Sequence, residues 1–451
     1  MTNSNIAIII LGSSGDLTKR KLIPALNRLF EMNEFDRSCR IIGSGRTDLT
    51  TEQFRNLFDI SDEFKNLLFY HRGISGLKEF LLSRGSFSRI IIFMALPPEV
   101  YVSTAKELYE EGFHEESSII IEKPFGYDYA SSVKLNKELS RFFSESQIYR
   151  NDHYLAKEAV QNILVFRFAN MVFQSVWNSQ NIESIQISAT ETQGIGSRGP
   201  YFDKAGIIRD MAQNHLMQLL TLLTMEPPVS LQPEDISIRK LDVLRSLSVD
   251  QCFRYQYEGY REEKGVSPES TTETYAELKL SINNFRWAGM PIYLRCGKAL
   301  DRTGTEISVK FKSPPQYLFN ENGTLPNNAI IFKIQPAEGI IVSMSSKEPG
   351  NDIKMSPTNM KFCYHDSFNR QLPEAYQRIL LDVIRGDHTL FVTAQETENL
   401  WKLFEPVLDK GNIIGYRKGE MPESAFDIQW TDFAQYNKIC VQKELTSETQ
   451  R

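Results

Sequence analysis

A histidine and a lysine, His153 and Lys157, are spaced four positions apart, in a pattern that can bind an anion. Asn151 or Asp152 is a good helix N-cap, so this stretch predicts a helix that begins beside His153. Both side chains then share one face in the first turns, where the helix dipole favours negative charge. Such a pair can grip a phosphomonoester. The alternative is a surface helix whose lysine pairs with a nearby acid.

Two further residues are candidates for binding or acid–base roles. Lys123 follows the apolar run Ser118–Ile121, and the carboxyl ends of strands in a doubly wound sheet face the ligand crevice. His215 lies at helical spacing among apolar residues. As a general base it needs an orienting carboxylate, which Asp152 or Asp210 can supply only through the fold. The alternatives are a lysine in a structural turn and a hydrogen-bonded core histidine.

A glycine-containing loop follows the apolar run Ile6–Leu11 and precedes a basic helical stretch. Glycines at such a place let the backbone turn tightly and approach a phosphate at a helix N-terminus. We therefore predict a dinucleotide site here, against the alternative of an ordinary strand–helix turn. The predicted cofactor contacts in this loop are Gly12, Ser13, Ser14, Gly15, Asp16 and Leu17.

The residues after the second predicted strand bear on the choice between NAD and NADP. Arg46 stands in a loop with two glycines and can pair with the 2′-phosphate of NADP. Asp48 lies close by and is the competing candidate, as the acid that accepts the ribose 2′-hydroxyl of NAD. We expect NADP, with Arg46 as a cofactor contact.

The elements that must position these residues fall into two parts. Near-continuous apolar runs alternate with helical stretches over residues 1–150, which predicts a Rossmann-like, doubly wound parallel sheet of the α/β class. From residue 151 to residue 451, alternating patterns predict a larger α+β domain built on a mostly antiparallel sheet packed with helices. We assign dinucleotide binding to the first domain and substrate binding to the second.

The first part contains predicted strands at Ile6–Leu11, Arg40–Gly43, Arg89–Leu96 and Ser118–Ile121, and predicted helices at Leu17–Met32, Val100–Glu111 and Ser131–Phe143. The second contains predicted strands at Ser184–Thr190, Tyr275–Ile282, Ile307–Phe311 and Ala329–Ile334, and predicted helices at His153–Val165, Gly206–Met225, Pro373–Arg385 and Gln395–Leu408.

Charge and cysteine content exclude several classes of function. The 451 residues carry a formal net charge of −6 without a basic block, so we expect no nucleic-acid or membrane partner. The five cysteines lack the close spacing of a zinc or redox motif, and we expect no metal. The N-terminal apolar run has no signal-peptide pattern and is too short to span a membrane. We therefore expect a reduced, cytoplasmic chain.

Several motifs resemble those of the glucose-6-phosphate dehydrogenase family, from about residue 6 to about residue 410. The most specific are Asp152–Glu158 (DHYLAKE) and Tyr201–His215, which ends in RDMAQNH. The others are Gly12–Leu17, Phe93–Val100, Glu122–Gly126 (EKPFG), Arg295–Leu300, Gln335-Pro336 and Leu372–Asp382.

The resemblance implies oxidation of D-glucose 6-phosphate at C1 to the 6-phosphogluconolactone, with NADP as hydride acceptor, at the entry to the oxidative pentose phosphate pathway. It implies that His215 removes the C1 hydroxyl proton, that Asp152 orients this imidazole, and that Lys123 lies between substrate and nicotinamide. It also implies a homodimer, or a dimer of dimers, formed through the second domain. The other implied substrate contacts are His153, Tyr154, Lys157, Glu191, Asp210, Lys298 and Gln335.

The chain departs from the family pattern at three positions. Asn151 and Ala156 stand where the family usually has Ile and Gly. Thr303 stands where the family often has a second cation after Lys298, and Arg302 is the adjacent candidate to replace it. Substrate affinity is therefore the property most open to change.

Two other functions compete with this interpretation. One is an NAD(P)-dependent sugar or inositol oxidoreductase, whose unphosphorylated substrate does not need the pair formed by His153 and Lys157. The other is a non-catalytic NADP-binding sensor, which we expect to lose the base and its partner first, although Asp152 and His215 are both present.

Overall fold

The computed structural model describes residues 5–35, 37–314, 327–368 and 372–437. The strands are β1 (Ile6–Leu11), β2 (Arg40–Gly45), β3 (Leu68–Arg72), β4 (Arg89–Met94), β5 (Ser117–Glu122), β6 (Ile148–Asn151), β7 (Ile182–Thr190), β8 (Leu247–Tyr257), β9 (Tyr275–Ile282), β10 (Ile292–Gly297), β11 (Gly304–Phe311), β12 (Ala329–Gln335), β13 (Gly339–Lys347), β14 (Met355–Cys363), β15 (Phe391–Val392) and β16 (Ile413–Tyr416).

The α-helices are α1 (Ile23–Glu31), α2 (Thr51–Arg55), α3 (Asp62–Lys65), α4 (Leu77–Leu82), α5 (Tyr101–Glu110), α6 (Tyr129–Leu139), α7 (Glu158–Phe168), α8 (Met171–Gln174), α9 (Gly199–Ile207), α10 (Met217–Thr224), α11 (Pro233–Ser246), α12 (Tyr364–Phe368), α13 (Ala375–Arg385), α14 (Ala394–Phe404) and α15 (Ala434–Asn437). Two further segments, Thr18–Leu22 and Ile208–Leu216, wind as π-helix. Short 3₁₀ turns lie at Pro98–Val100, Glu145–Gln147, Gly196–Arg198 and Tyr260–Glu262.

By packing, the chain divides into two compact units, each assembled from more than one segment. The first contains Met1–Lys157, Glu226–Leu241 and Pro373–Lys402. The second contains Glu158–Met225, Asp242–Leu372 and Leu403–Arg451. The domain boundary after residue 150 stays a prediction, made from the change in the pattern of apolar residues at that point.

The first unit contains a seven-stranded sheet in the order β15-β6-β5-β4-β1-β2-β3, in which β1 to β6 run parallel. Both faces are covered: Ile8 and Ile10 of β1 lie in one apolar cluster, and Ile9 and Leu11 lie in another. Burial on both faces explains why this strand reads as a continuous apolar run. The order reverses beside β1, the position where doubly wound sheets bind ligands.

The second unit contains a nine-stranded sheet in the order β14-β13-β12-β11-β7-β10-β9-β8-β16. Its pairs are antiparallel except β7–β10 and β8–β16. The predicted fold class, α/β plus α+β, is therefore confirmed.

Two local predictions differ from the structure. The helix predicted from His153 begins only at Glu158, because Asp152 Oδ1 accepts the backbone N–H of Tyr154 at 3.0 Å and the next residues form tight turns. The helix predicted over Gly206–Met225 is interrupted at its start, where Gly206 has φ 70° and ψ 171°.

Cys39, Cys252 and Cys296 are free thiols. Cys363 is disulfide-bonded, so the prediction of a fully reduced chain is wrong at that residue. Among the described residues, no helix combines the length and the apolarity that crossing a membrane requires.

Candidate active site

The glycine loop after β1 has the shape that a dinucleotide pyrophosphate needs. Gly12 has φ +80°, and a Cβ there would lie 2.2 Å from the carbonyl oxygen of Ala95. The N–H groups of Gly12 and Ser13 donate to the Ser44 carbonyl, which holds the loop against the end of β2. Within the described residues, the buried Ser13 hydroxyl has no hydrogen-bond partner, so it is available to a ligand. These features fit a bound pyrophosphate.

The rest of the loop leads into the π-helical segment Thr18–Leu22. The N–H of Gly15 donates to the Gly12 carbonyl at 2.9 Å, which closes a tight turn. Asp16 forms an exposed ion pair with Arg20 at 2.7 Å. Ser14 and Leu17 are half-buried between these points.

The loop after β2 carries the residues that distinguish the two cofactors. Arg46 is exposed and has no ion-pair partner in the described part of the chain. Asp48, the competing acid, lies 3.7 Å from Arg72 Nη1, which offsets its charge. An unpaired guanidinium beside a carboxylate that already has an ion-pair partner fits the 2′-phosphate of NADP better than a ribose hydroxyl.

Lys123 lies directly after β5, and its peptide bond to Pro124 is cis. Glu122, the last residue of β5, accepts hydrogen bonds from the Asn151 side-chain amide at 2.6 Å and from the Tyr376 hydroxyl at 3.2 Å. The pKa of Glu122 is raised to about 7. Burial is the largest cause and the charge of Asp152 adds to it, whereas the two hydrogen bonds and the charge of Lys123 act to lower the pKa. Lys123 and Asp152 therefore lie close to one carboxyl group.

The turn from Asp152 to Lys157 brings four predicted residues together. The Asp152 side chain is buried, and Tyr154 is 4% exposed. The Lys157 ammonium lies 5.2 Å from the centre of the Tyr154 ring, and the rings of His153 and Tyr154 are 5.3 Å apart. His153 and Lys157 therefore both lie near the Tyr154 ring in a compact turn, not on one face of a helix. Ala156, which replaces the family glycine, is buried in the core beneath this turn.

His215 and Asp210 lie in the π-helical segment Ile208–Leu216 of the second unit. Both are buried, at 1% and 2% exposure. Arg198 Nη2 lies 3.2 Å from Asp210 Oδ1. Desolvation lowers the pKa of Arg198, but the charge and hydrogen bond of Asp210, with smaller effects of Tyr201 and Glu191, outweigh it, so the net shift is upward.

Glu191 and Lys298 form a second charged pair in this unit, with Lys298 Nζ 2.5 Å from Glu191 Oε2. The lysine is 5% exposed on its side chain, and it lies 5.6 Å from the centre of the Phe202 ring. Gln335 ends β12 and precedes a cis peptide bond to Pro336. These polar groups belong to strand ends and the loops that follow them.

Thr303 and Arg302 have different surroundings. The Thr303 hydroxyl accepts the N–H of Thr192 at 2.9 Å, next to Glu191. Arg302 instead pairs with Glu306 at 3.2 Å and packs over the Phe433 ring. Arg302 is therefore held by its own ion pair, and the position of the family cation carries a neutral hydroxyl.

Three polar residues that contact the candidate site residues or each other were not predicted from the sequence: Arg198, Glu122 and Tyr376. Arg198 pairs with Asp210, whereas Glu122 and Tyr376 are joined by a hydrogen bond. Arg198 lies outside the motifs, and Glu122 lies inside EKPFG without an assigned role. An acidic residue directly before a candidate lysine is the one signal that pointed to Glu122.

The parallel sheet, its glycine loop and the unpaired Arg46 are the features of a dinucleotide-binding protein. Two sequence models match the chain: glucose-6-phosphate dehydrogenase, NAD binding domain, over residues 9–68 and 61–162, and its C-terminal domain over residues 164–436. The chain belongs to the glucose-6-phosphate dehydrogenase family.

Individual relatives agree with this assignment. The glucose-6-phosphate 1-dehydrogenase of Chlamydia muridarum is 39% identical, with 90% of each chain covered. The enzyme of the same name from Bacillus subtilis is 37% identical over 93% of this chain and 96% of the relative. A solved glucose-6-phosphate dehydrogenase in complex with its substrate glucose-6-phosphate superposes with a TM-score of 0.88 at 34% identity, covering 94% and 96% of the two chains.

Proposed function

We infer that this chain oxidises D-glucose 6-phosphate at C1 to 6-phospho-D-glucono-1,5-lactone, with NADP as the hydride acceptor. The observation that carries the inference is the family match, which spans both sheets and nearly the whole chain. The glycine loop and Arg46 add chemical support for the phosphorylated cofactor.

The proposed chemistry needs one base and several cations from this chain. NADP supplies the acceptor carbon for the hydride that leaves C1. We propose that His215 takes the proton of the C1 hydroxyl and that Asp152 keeps the imidazole in the required orientation. Both residues are buried, which strengthens their electrostatic interactions by excluding water.

We assign phosphate binding to the turn that contains His153, Tyr154 and Lys157. Its support is the cation held over the Tyr154 ring beside a second basic side chain. Glu191 and Asp210 are proposed acceptors for sugar hydroxyls, with Lys298 and Gln335 as further contacts. Glu191 is hydrogen-bonded to Lys298 through one oxygen, and a carboxylate has further acceptor sites, so it can accept a sugar hydroxyl while this ion pair stays in place.

The function is tested by following NADPH absorbance with glucose 6-phosphate and with free glucose. We expect turnover of glucose 6-phosphate and a far lower kcat/KM for glucose, because glucose lacks the dianion. Comparable kcat/KM values for the two sugars would support the oxidoreductase for an unphosphorylated sugar instead. NADP binding without turnover of either sugar would support a sensor.

We further propose that the chain forms a homodimer, or a dimer of dimers, and acts in the cytoplasm. The proposed dimer surface is supported by β14, which ends the nine-stranded sheet and leaves residues 357–361 exposed. An edge strand with unpaired backbone groups is a ready site for pairing with another chain.

A further inference from the structure

Glu122 and Asn151 occupy matching positions at the ends of neighbouring parallel strands. Glu122 is the last residue of β5 and Asn151 the last of β6, and they are register partners. The Tyr101 hydroxyl bonds to both the N–H and the carbonyl of Glu122, at 3.2 Å and 3.1 Å. The backbone at this strand end is therefore fixed by a side chain from α5.

The Glu122 carboxyl group is fixed separately, by two donors to the same oxygen. Asn151 Nδ2 lies 2.6 Å and the Tyr376 hydroxyl 3.2 Å from Glu122 Oε1. Tyr376 comes from α13, so three elements converge on this carboxyl group. In the family resemblance Asn151 stands where an isoleucine is usual, and isoleucine cannot donate this bond.

The two residues that follow these strand ends are the ones assigned to chemistry. Lys123 is covalently next to Glu122, and Asp152 is covalently next to Asn151. The charged and titratable groups that act on Glu122 or on its donors are Lys123, Asp152, Tyr101 and Tyr376. Burial opposes ionisation of Glu122, whereas both donors and Lys123 favour it. Its pKa of about 7 means that the carboxyl group changes charge near neutral pH.

We propose that Glu122 is a positioning residue, held by Asn151 and Tyr376, whose ionised carboxylate attracts the Lys123 ammonium and keeps it in place beside Asp152. This proposal rests on the proposed function, because the roles of Lys123 and Asp152 are roles in the oxidation of glucose 6-phosphate. Protonated Glu122 loses the attraction to Lys123, so the support weakens as the pH falls below 7.

The experiment measures kcat for the wild type and for Glu122→Gln from about pH 5.5 to about pH 9. Glutamine keeps an acceptor oxygen but resembles only the protonated form of Glu122. We expect similar kcat values at low pH, and a wild-type advantage of about three- to tenfold that develops as the pH rises through 7. The ratio of the two kcat values cancels any dependence on pH that both proteins share.

Asn151→Leu and Tyr376→Phe test whether the donors set this behaviour. Each variant removes a bond that stabilises the carboxylate, so we expect the pH at which kcat rises to move upward, more for Asn151→Leu because its bond is shorter. Tyr149→Phe is the matched control: it removes a hydroxyl from the same strand, bonded to Arg89 at 2.9 Å, and leaves the profile unchanged.

A ratio of kcat values that is constant with pH would reduce Glu122 to a structural role and overturn the proposal. Thermal melting supplies a readout that does not need activity. Because the pKa is raised on folding, Glu122 stabilises the fold below about pH 4.5, and this contribution is lost as the pH rises to about 7.

The wild-type melting temperature should therefore fall relative to that of Glu122→Gln across this interval and level off above it. A constant difference would also contradict the proposal. If the wild type fails to oxidise glucose 6-phosphate, the proposed function fails, while the melting series still decides whether Glu122 titrates near neutral pH.

Discussion

Two cations of the candidate site are each held in an ion pair with a carboxylate. Lys298 pairs with Glu191, and Arg198 pairs with Asp210. Paired charges avoid the cost of an isolated buried ion and leave each group ready to exchange partners with a ligand. Arg46 differs, because it is exposed and unpaired among the described residues.

Replacing Arg46 with Ala should raise the KM for NADP far more than the KM for NAD. The guanidinium is assigned to the 2′-phosphate, which NAD lacks, so NAD loses little. Steady-state kinetics with both cofactors measure the two effects. Arg37→Ala serves as the control, since this exposed arginine pairs with Glu63 elsewhere in the same unit. Equal changes for NAD and NADP would remove Arg46 from the 2′-phosphate site.

His215→Asn should lower kcat by roughly 10²–10⁴-fold or more, and leave the KM for glucose 6-phosphate within a few-fold. Asparagine retains a polar side chain at a buried position but cannot accept a proton near neutral pH. Melting temperature and NADP affinity, measured alongside, show whether the variant is folded. A folded variant with near-normal kcat would mean that another group is the base.

The residues proposed for the site were all named from sequence, but several of their partners in the structure could not be. Spacing drew attention to His153 and Lys157, and resemblance supplied Glu191, Lys298 and Gln335. Neither could reveal that Arg198 pairs with Asp210, because that contact depends on how a 3₁₀ turn and a π-helical segment pack.

At the scale of elements, local signals identified eight of the sixteen strands that the described residues form, and they placed the start of one helix too early. The run Ile6–Leu11 was predicted with its observed bounds, because burial on both faces makes it continuously apolar. The pattern after Asn151 predicts a capped helix. In the structure the Asp152 side chain instead closes a turn, and α7 begins only at Glu158. Aspartate favours caps and turns for the same reason, so sequence alone does not separate them.

Gly12→Ala should weaken NADP binding strongly and lower the melting temperature. Alanine is strained at φ +80°, and its Cβ would collide with the Ala95 carbonyl, so the loop must move away from the position that holds the pyrophosphate. Gly73→Ala is the matched control, because it has φ +75° but meets no atom within 4 Å. We expect Gly73→Ala to lose stability by about 1–2 kcal/mol from backbone strain and to keep its cofactor affinity.

If Gly12→Ala and Gly73→Ala weaken cofactor binding equally, backbone strain alone explains the effect and the close approach at Ala95 does not matter. Fluorescence titration with NADPH measures the affinities, and thermal melting measures the stabilities. The two variants together separate the effect of the close contact with Ala95 from the effect of backbone strain at positive φ.

At the scale of the whole molecule, the order of elements along the chain does not match their packing. Glu226–Leu241 and Pro373–Lys402 belong to the first unit although long stretches of the second unit separate them from residue 157. Their link is visible in side-chain contacts: Lys240 pairs with Glu396 at 2.6 Å, and both are buried. The domain prediction was based on local sequence patterns, which report only on residues close together along the chain. It therefore could not reveal that these distant segments pack into the first unit.

The exposed edge strand β14 of the nine-stranded sheet is where we expect a second copy of the chain to pair. Met360 lies on β14 at 57% exposure, at the edge that we assign to the dimer. Met360→Lys should place a charge in a surface that pairing would bury, and therefore shift the chain toward the monomer in size-exclusion chromatography with light scattering. Met171→Lys is the matched control, because Met171 is 79% exposed on α8, away from the sheet edge. Dissociation by Met171→Lys instead, with Met360→Lys still dimeric, would move the dimer surface to α8.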